Sequence, residues 1–492
     1  MGHDQEQTPL FTGLTEYAKK EPIPFHIPGH KRGAGMDADF RTFIGEEALS
    51  IDLINIAPLD DLHHPHGIID QSQQLAAKAF GADYTFFSVQ GTSGAIMTMI
   101  MSVCGPGDKI IVPRNVHKSI MSAIIFCGAL PVFIHPELDF EHGIAHGVAT
   151  ESVAKAIRAH PDAKAVLVIN PTYYGFTCDL KAIVELAHQA GIPVLVDEAH
   201  GVHIHFNERL PVSAMQAGAD MAATSVHKLG GSLTQSSILN IRAGLVSVEH
   251  TTAVMSMLTT TSTSYLLLAS LDVARKHLAT KGAQLLDETI DLSIWMRHAI
   301  NEIDGLYCLG SEKLHGSAVF SHDPTKLLIS LKGLNISGFA AEVWLRDHYN
   351  IEVELSDLYN ILCIITIGDT EEKLALLLRA LTQLALEFSS TANRCASLPV
   401  HVANIPTLAL SPREAFYAQT ETVPFDESVG RIIAEFIMVY PPGIPILSPG
   451  ELISEENLAY VKENLKAGLP VQGPEDATLS NLKVIKEQRA IR

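Results

Sequence analysis

Lys228 lies in Ala223-Thr-Ser-Val-His-Lys-Leu-Gly-Gly231, where a short apolar run ends in a lysine followed by glycines. A lysine at a strand end must have its charge desolvated unless it reaches water or a partner. Desolvation lowers its basicity and makes it a nucleophile able to form a Schiff base. One strand earlier, Val194-Leu-Val-Asp-Glu-Ala-His200 ends a second apolar run in Asp197. A carboxylate there wants a cationic or proton-donating partner, and the ring nitrogen of pyridoxal phosphate (PLP) supplies one; Asp197 would keep it protonated and make the ring an electron sink. Alone, each has an ordinary explanation, a solvated turn lysine and a loop carboxylate. Glu198 reads as a supporting or surface acid.

Two further turns belong to the same pattern. Val89-Gln-Gly-Thr-Ser-Gly-Ala95 joins a strand to an apolar helix; its small residues let the backbone approach an anion, and hydroxyls and the helix start donate to phosphate oxygens. Such a turn also suits an ordinary helix cap. It lacks the Walker and G-x-G-x-x-G spacings, which counts against nucleoside triphosphates and dinucleotides. Pro113-Arg-Asn-Val-His-Lys-Ser119 offers His117, an imidazole able to stack on a cofactor ring or to serve as a hydrogen-bonded loop residue. The histidines form no H-E-x-x-H pair, so no metal is expected.

The elements that must position these groups alternate short apolar runs with helical stretches, the pattern of a mostly parallel sheet covered by helices. Seven strands are predicted: Tyr84–Val89, Lys109–Pro113, Leu130–His135, Ala165–Asn170, Pro193–Asp197, Met221–Val226 and Ser237–Asn240. Ligands of such sheets bind at strand ends. A helix-rich stretch from Tyr265 to about Ile303 leads to a smaller α+β module with strands at Leu327–Leu331, Ile351–Leu355 and Ile361–Ile367 and helices at Gly338–His348 and Glu371–Glu387. The expected divisions are an N-terminal segment, 1–68, contributing to the active site and dimer; a PLP-binding large domain, 69–305; a small α+β domain, 306–390; and a C-terminal module, 391–492, with Tyr440-Pro-Pro-Gly-Ile-Pro445 at a turn. The apolar helix Ala95–Cys104 would serve a subunit interface or fill the core.

A chain of 492 residues, 47% apolar, has material for two to four folded units. Its net charge of −20 argues against nucleic acid or an anionic membrane as partner. Six scattered cysteines without a C-x-x-C, and no apolar leader, indicate a reducing, cytoplasmic setting.

Together with Phe25-His-Ile-Pro-Gly-His-Lys-Arg-Gly33, these motifs run in order along the chain and resemble the bacterial ornithine/lysine/arginine decarboxylases, PLP enzymes of the aspartate aminotransferase fold type (fold type I). Within that family the chain is most similar to the short biosynthetic arginine decarboxylases of Bacillus-like bacteria, since the extra N-terminal wing domain of the inducible enzymes is lacking. The resemblance implies decarboxylation of a basic amino acid, arginine to agmatine for polyamine synthesis, with lysine or ornithine as alternative substrates. It implies catalytic roles for Lys228 as the Schiff-base lysine, His227 beside it, Asp197 at the ring nitrogen and His117 stacked on the ring. Gly91, Thr92, Ser93, Gly94 and Ser225 would cradle the phosphate. Ala199 and His200 would also touch the cofactor, His200 standing where the inducible enzymes carry tryptophan. The stretch Thr259–Tyr265 would reach a neighbouring subunit's cofactor in a homodimer or higher homo-oligomer.

A long cationic substrate needs carboxylates at the far end of its pocket. Glu354, Asp357, Asp60 and Asp61 are candidates, each equally able to cap a helix or meet a surface lysine. A transaminase or carbon–sulfur lyase would share Lys228 and Asp197. A silent, polyamine-binding homologue would be expected to lose one of them.

Overall fold

The structure, a computed structural model, describes residues 2–389, 404–439, 444–466 and 471–486. The expected boundary at 390–403, Cys395 and the Tyr440–Gly443 part of the turn motif lie outside these residues. The chain divides into two compact units, each drawn from two stretches: Met1–Val103 with Val184–Glu288, and Cys104–Ile183 with Thr289–Arg492.

All seven predicted strands are present: β1 (Tyr84–Ser88), β2 (Lys109–Pro113), β3 (Leu130–Ile134), β4 (Ala165–Ile169), β5 (Val194–Asp197), β6 (Met221–Thr224) and β7 (Ser237–Ile241). In the first unit their order is β1-β7-β6-β5. β5 and β6 run parallel, whereas β7 is antiparallel to both β6 and β1, so the sheet is mixed. In the second unit β2 lies between β4 and β3, all parallel. Strands β5, β6 and β7 are buried along their whole length, which is why they read as continuous apolar runs.

The helix Gly91–Met101 packs on β6 and β7. Its Ala95, Ile96, Met99 and Ile100 are enclosed by its own chain. That apolar face fills the core of its own unit.

In the second unit an antiparallel sheet joins Tyr307–Cys308, Lys326–Ser330, Asn360–Ile364 and Leu355–Ser356. The helices Gly338–Tyr349 and Glu371–Glu387 cover it, burying Leu374, Leu381 and Leu384 with Trp344 and Leu345. The expected strand Ile351–Leu355 is reduced to the pair Leu355–Ser356. Ile351 and Val353 alternate because they pack on this core as a connection, not because they join a ladder. A separate core around Phe425, Ile433, Leu447 and Val484 holds the C-terminal module together.

Five cysteines are buried and unbridged. Among the described residues no helix is long and apolar enough to cross a membrane.

Candidate active site

β5 and β6 end side by side, with Asp197 opposite Ala223. The parallel register therefore brings the groups following the two strands to one edge of the sheet. After β6 the chain turns at Ser225 into the short helix Val226–Leu229, which carries His227 and Lys228. Lys228 is exposed in this chain, not desolvated as its strand-end position had suggested. Its position at the tip of a one-turn helix, past the buried strand, explains the difference. What marks it is a neighbour: its ammonium donates to Nε2 of the buried His200 at 2.8 Å. With the ammonium as donor, Nε2 is the accepting nitrogen of His200.

Asp197 is 5% exposed, and its Oδ1 accepts the Ala199 N–H at 3.2 Å. Burial pushes its carboxyl up to about 6, although the Ala199 N–H and the charge of Lys228 both favour the ionised form. Glu198 is buried as well, which decides for a supporting acid over a surface one. Its two oxygens accept from the Ala214 N–H at 2.6 Å and the Thr224 hydroxyl at 3.1 Å, and burial pushes it up to about 7. His227 Nδ1 donates to the Ser236 carbonyl at 2.8 Å.

The start of the helix Gly91–Met101 faces the same unit's β7. Gly91 takes φ +68°, a conformation suited to glycine, and donates its N–H to the Gln235 carbonyl at 2.9 Å. The buried Thr92 hydroxyl bonds to Ser225 Oγ and, at 2.7 Å, to Ser237 Oγ. A Cβ on Gly94 would lie 2.6 Å from Gln90 Cβ, so the turn tolerates no larger residue without shifting. Ser93 is exposed on the first turn, where backbone N–H groups lack helical partners. Gln235, Ser236 and Ser237 were not singled out from sequence. Their roles follow from the antiparallel course of β7, which sets Ser237 opposite Ser88.

This set suits PLP on its own chemistry. A buried carboxylate with a raised pKa matches a proton-bearing ring nitrogen, the lysine matches a carbonyl carbon, and the helix start with its hydroxyls matches a phosphate. Lys228, His200, Asp197, Ala199, His227, Ser225, Thr92, Ser93, Gly91 and Gly94 all belong to the first unit.

His117 lies in the second unit, at the N-cap of the helix Lys118–Cys127. Its Nδ1 accepts from the Ser119 hydroxyl at 2.8 Å and the Ser119 N–H at 3.3 Å. The four candidate substrate acids divide into two kinds. Asp60 is buried, and its oxygens accept N–H groups of Asp61, His66, Gly67 and Ile69. Burial opposes ionisation, but those four donors hold its carboxyl below the usual range. Asp357 is buried in a turn where it accepts the N–H groups of Tyr359 and Asn360. Both are local braces. Asp61 and Glu354 are more accessible; Asp61 accepts from Asn55 at 3.1 Å and from the His63 N–H at 3.0 Å, and Glu354 from the Tyr173 hydroxyl. Tyr265, expected to reach another subunit, is buried in its own chain with its hydroxyl donating to the Asp60 carbonyl at 2.6 Å.

Residues 8–373 match the family model "Orn/Lys/Arg decarboxylase, major domain", and residues 398–468 match its C-terminal domain. An arginine decarboxylase of Halalkalibacterium halodurans is 70% identical over 488 residues, covering 99% of both chains. One of Bacillus subtilis is 66% identical over 488 residues, covering 99% of this chain and 100% of the relative. In fold, the chain is similar to the Francisella novicida lysine decarboxylase LdcF, with a TM-score of 0.84 at 24% identity over 98% of this chain and 82% of that one.

Proposed function

The chain belongs to the Orn/Lys/Arg decarboxylase family, and from that premise we propose that it binds PLP at Lys228 and decarboxylates L-arginine to agmatine and carbon dioxide. The observation that carries the cofactor reading is the Lys228–His200 contact beside buried Asp197. Arginine is favoured over lysine and ornithine by the names of relatives at 66–70% identity.

Bound PLP would supply an electron sink for the bond between Cα and the carboxylate. His200 Nε2 can take a proton from the Lys228 ammonium and so release the lone pair that makes Nζ a nucleophile. Asp197 would hold a proton on the ring nitrogen across a charge-assisted hydrogen bond. Thr92, Ser93, Gly94 and Ser225 would hold the phosphate; for His117 it is the family resemblance that implies a stacking role. Lys228 Nζ as an ammonium, or His227 Nε2 once it has taken up a proton from solvent, would return a proton to Cα. Of the acids proposed for the guanidinium, Asp61 and Glu354 are the more accessible, whereas Asp60 and Asp357 are buried among backbone N–H donors.

Ile23, Phe25, Ile27, Phe40 and Phe43 are exposed, Phe25 to 94%. An apolar stretch of that kind marks an association surface and supports a homodimer or larger homo-oligomer. Five buried, unbridged cysteines support a cytoplasmic setting.

The test is a visible spectrum of the purified protein after adding PLP, followed by amine analysis with arginine, lysine and ornithine. A cofactor band lost in Lys228→Ala, with agmatine formed fastest, is the expected result. Faster formation of cadaverine or putrescine would overturn the substrate, and absence of a band would overturn the cofactor reading.

A further inference from the structure

Arg114 is a large charged side chain sealed inside the second unit. It and Glu451 are each 1% exposed. Its backbone N–H donates to the Ile134 carbonyl at 2.8 Å, pinning it to the end of β3. The guanidinium lies 4.6 Å over the Phe133 ring. Its Nη1 and Nη2 engage the two oxygens of Glu451, Nη2 at 2.7 Å. Nε donates to the Pro445 carbonyl at 3.0 Å, and Nη2 reaches the Ile446 carbonyl at 3.3 Å. Glu451 is itself held, its Oε2 accepting the Ser448 N–H at 2.7 Å and its carbonyl accepting the Ile433 N–H at 2.9 Å.

Stability alone gives little reason for such a pair, because a buried ion pair is often no better than apolar residues of similar volume. An apolar pair would lack the planar guanidinium's directed grip on a carboxylate and two backbone carbonyls. That grip acts three residues before His117, whose Nδ1 is turned inward by the cap on Ser119. The loop between the two is thus clamped at both ends.

We infer that Arg114 is a positioning residue: through Glu451 and the carbonyls of Pro445 and Ile446, the C-terminal module sets the loop Arg114–Ser119 and thereby the ring of His117. The inference rests on the reading of His117 as a cofactor contact.

The test compares the parent with Arg114→Met/Glu451→Leu, which removes both charges together, and with the milder Glu451→Gln in case the double variant fails to fold. Hydrogen exchange across 114–120 in the cofactor-free protein reads the clamp directly, and PLP titration with kcat and KM for arginine reads its consequence. The expected result is a folded double variant whose exchange in that loop is faster by ~10-fold. PLP binding should weaken by a similar factor, an effect that does not add to that of His117→Ala. Glu451→Gln should move the same readouts in the same direction by less. Folded variants with parental exchange in 114–120 and parental PLP affinity would overturn the proposal. Faster exchange with PLP affinity unaltered both there and in His117→Ala would uphold the clamp and overturn instead the placing of His117 at the cofactor.

Discussion

An ionised Asp197 is poorly accommodated in the cofactor-free protein, since burial pushes its carboxyl from 3.8 up to about 6. The folded state therefore binds this proton more tightly than the unfolded chain does, and stability present below the ordinary pKa is lost as pH rises from about 4 through about 6. Asp197→Asn removes the titration while keeping the shape. The cofactor-free variant should be more stable than the parent at pH 8, by up to ~3 kcal/mol from a shift of this size, with no gain near pH 4. Decarboxylase activity should nevertheless fall by ~10²-fold or more, the usual cost of removing a preorganised electrostatic partner. Chemical denaturation at the two pH values, with a rate assay, checks both; a variant less stable than the parent at pH 8 would contradict the account. Lys228 and Asp197 were legible in the sequence because each follows an apolar strand and their chemistries complement one another. The exposure of Lys228 and the burial of Glu198 were not legible, since each depends on where the chain goes after its strand ends.

At the scale of elements, the hydroxyl cluster of Thr92, Ser225 and Ser237 joins a helix start, a strand end and the first residue of β7. Thr92→Val is nearly isosteric and leaves two buried hydroxyls without that partner. It should cost about 1–3 kcal/mol of stability and weaken PLP binding by ~10-fold if the cluster orients the phosphate loop. Lower stability with unaltered PLP affinity would reduce the cluster to packing. The strands were readable because buried strands are unbroken apolar runs, and the helix Glu371–Glu387 because its leucines recur with helical period. The antiparallel direction of β7 has no mark in its own residues, so Ser236 and Ser237 went unnoticed. Acids were the least readable: Asp60 and Asp357 look like available carboxylates until their backbones are seen to fold donors around them.

Across the whole molecule, buried acids and buried histidines set opposite pH slopes. Burial holds His146 in the second unit down to about 4, with Asp139 nearby favouring its charge and His142, His315 and Lys313 opposing it. A histidine kept neutral in the fold contributes stability that is complete above about 6.5 and is lost as pH falls toward 4, by up to ~3 kcal/mol for a shift of this size. Asp197 in the first unit acts in the other direction over much of that range, as does Glu198, which burial pushes up to about 7, while His322 in the second unit, held down to about 3, adds to the loss at His146. PLP binding would change the balance: a ring-nitrogen cation beside Asp197 stabilises its ionised form, removing the gain on acidification while the loss at His146 remains. The difference in melting temperature between PLP-loaded and cofactor-free protein should therefore shrink as pH falls from 7 to 4.5, and His146→Leu should flatten the acid limb of both forms. Melting curves across that range decide the matter. A difference that grows on acidification would mean that Asp197 does not meet a cationic nitrogen, and parallel curves for parent and His146→Leu would mean that this histidine is not held neutral by the fold.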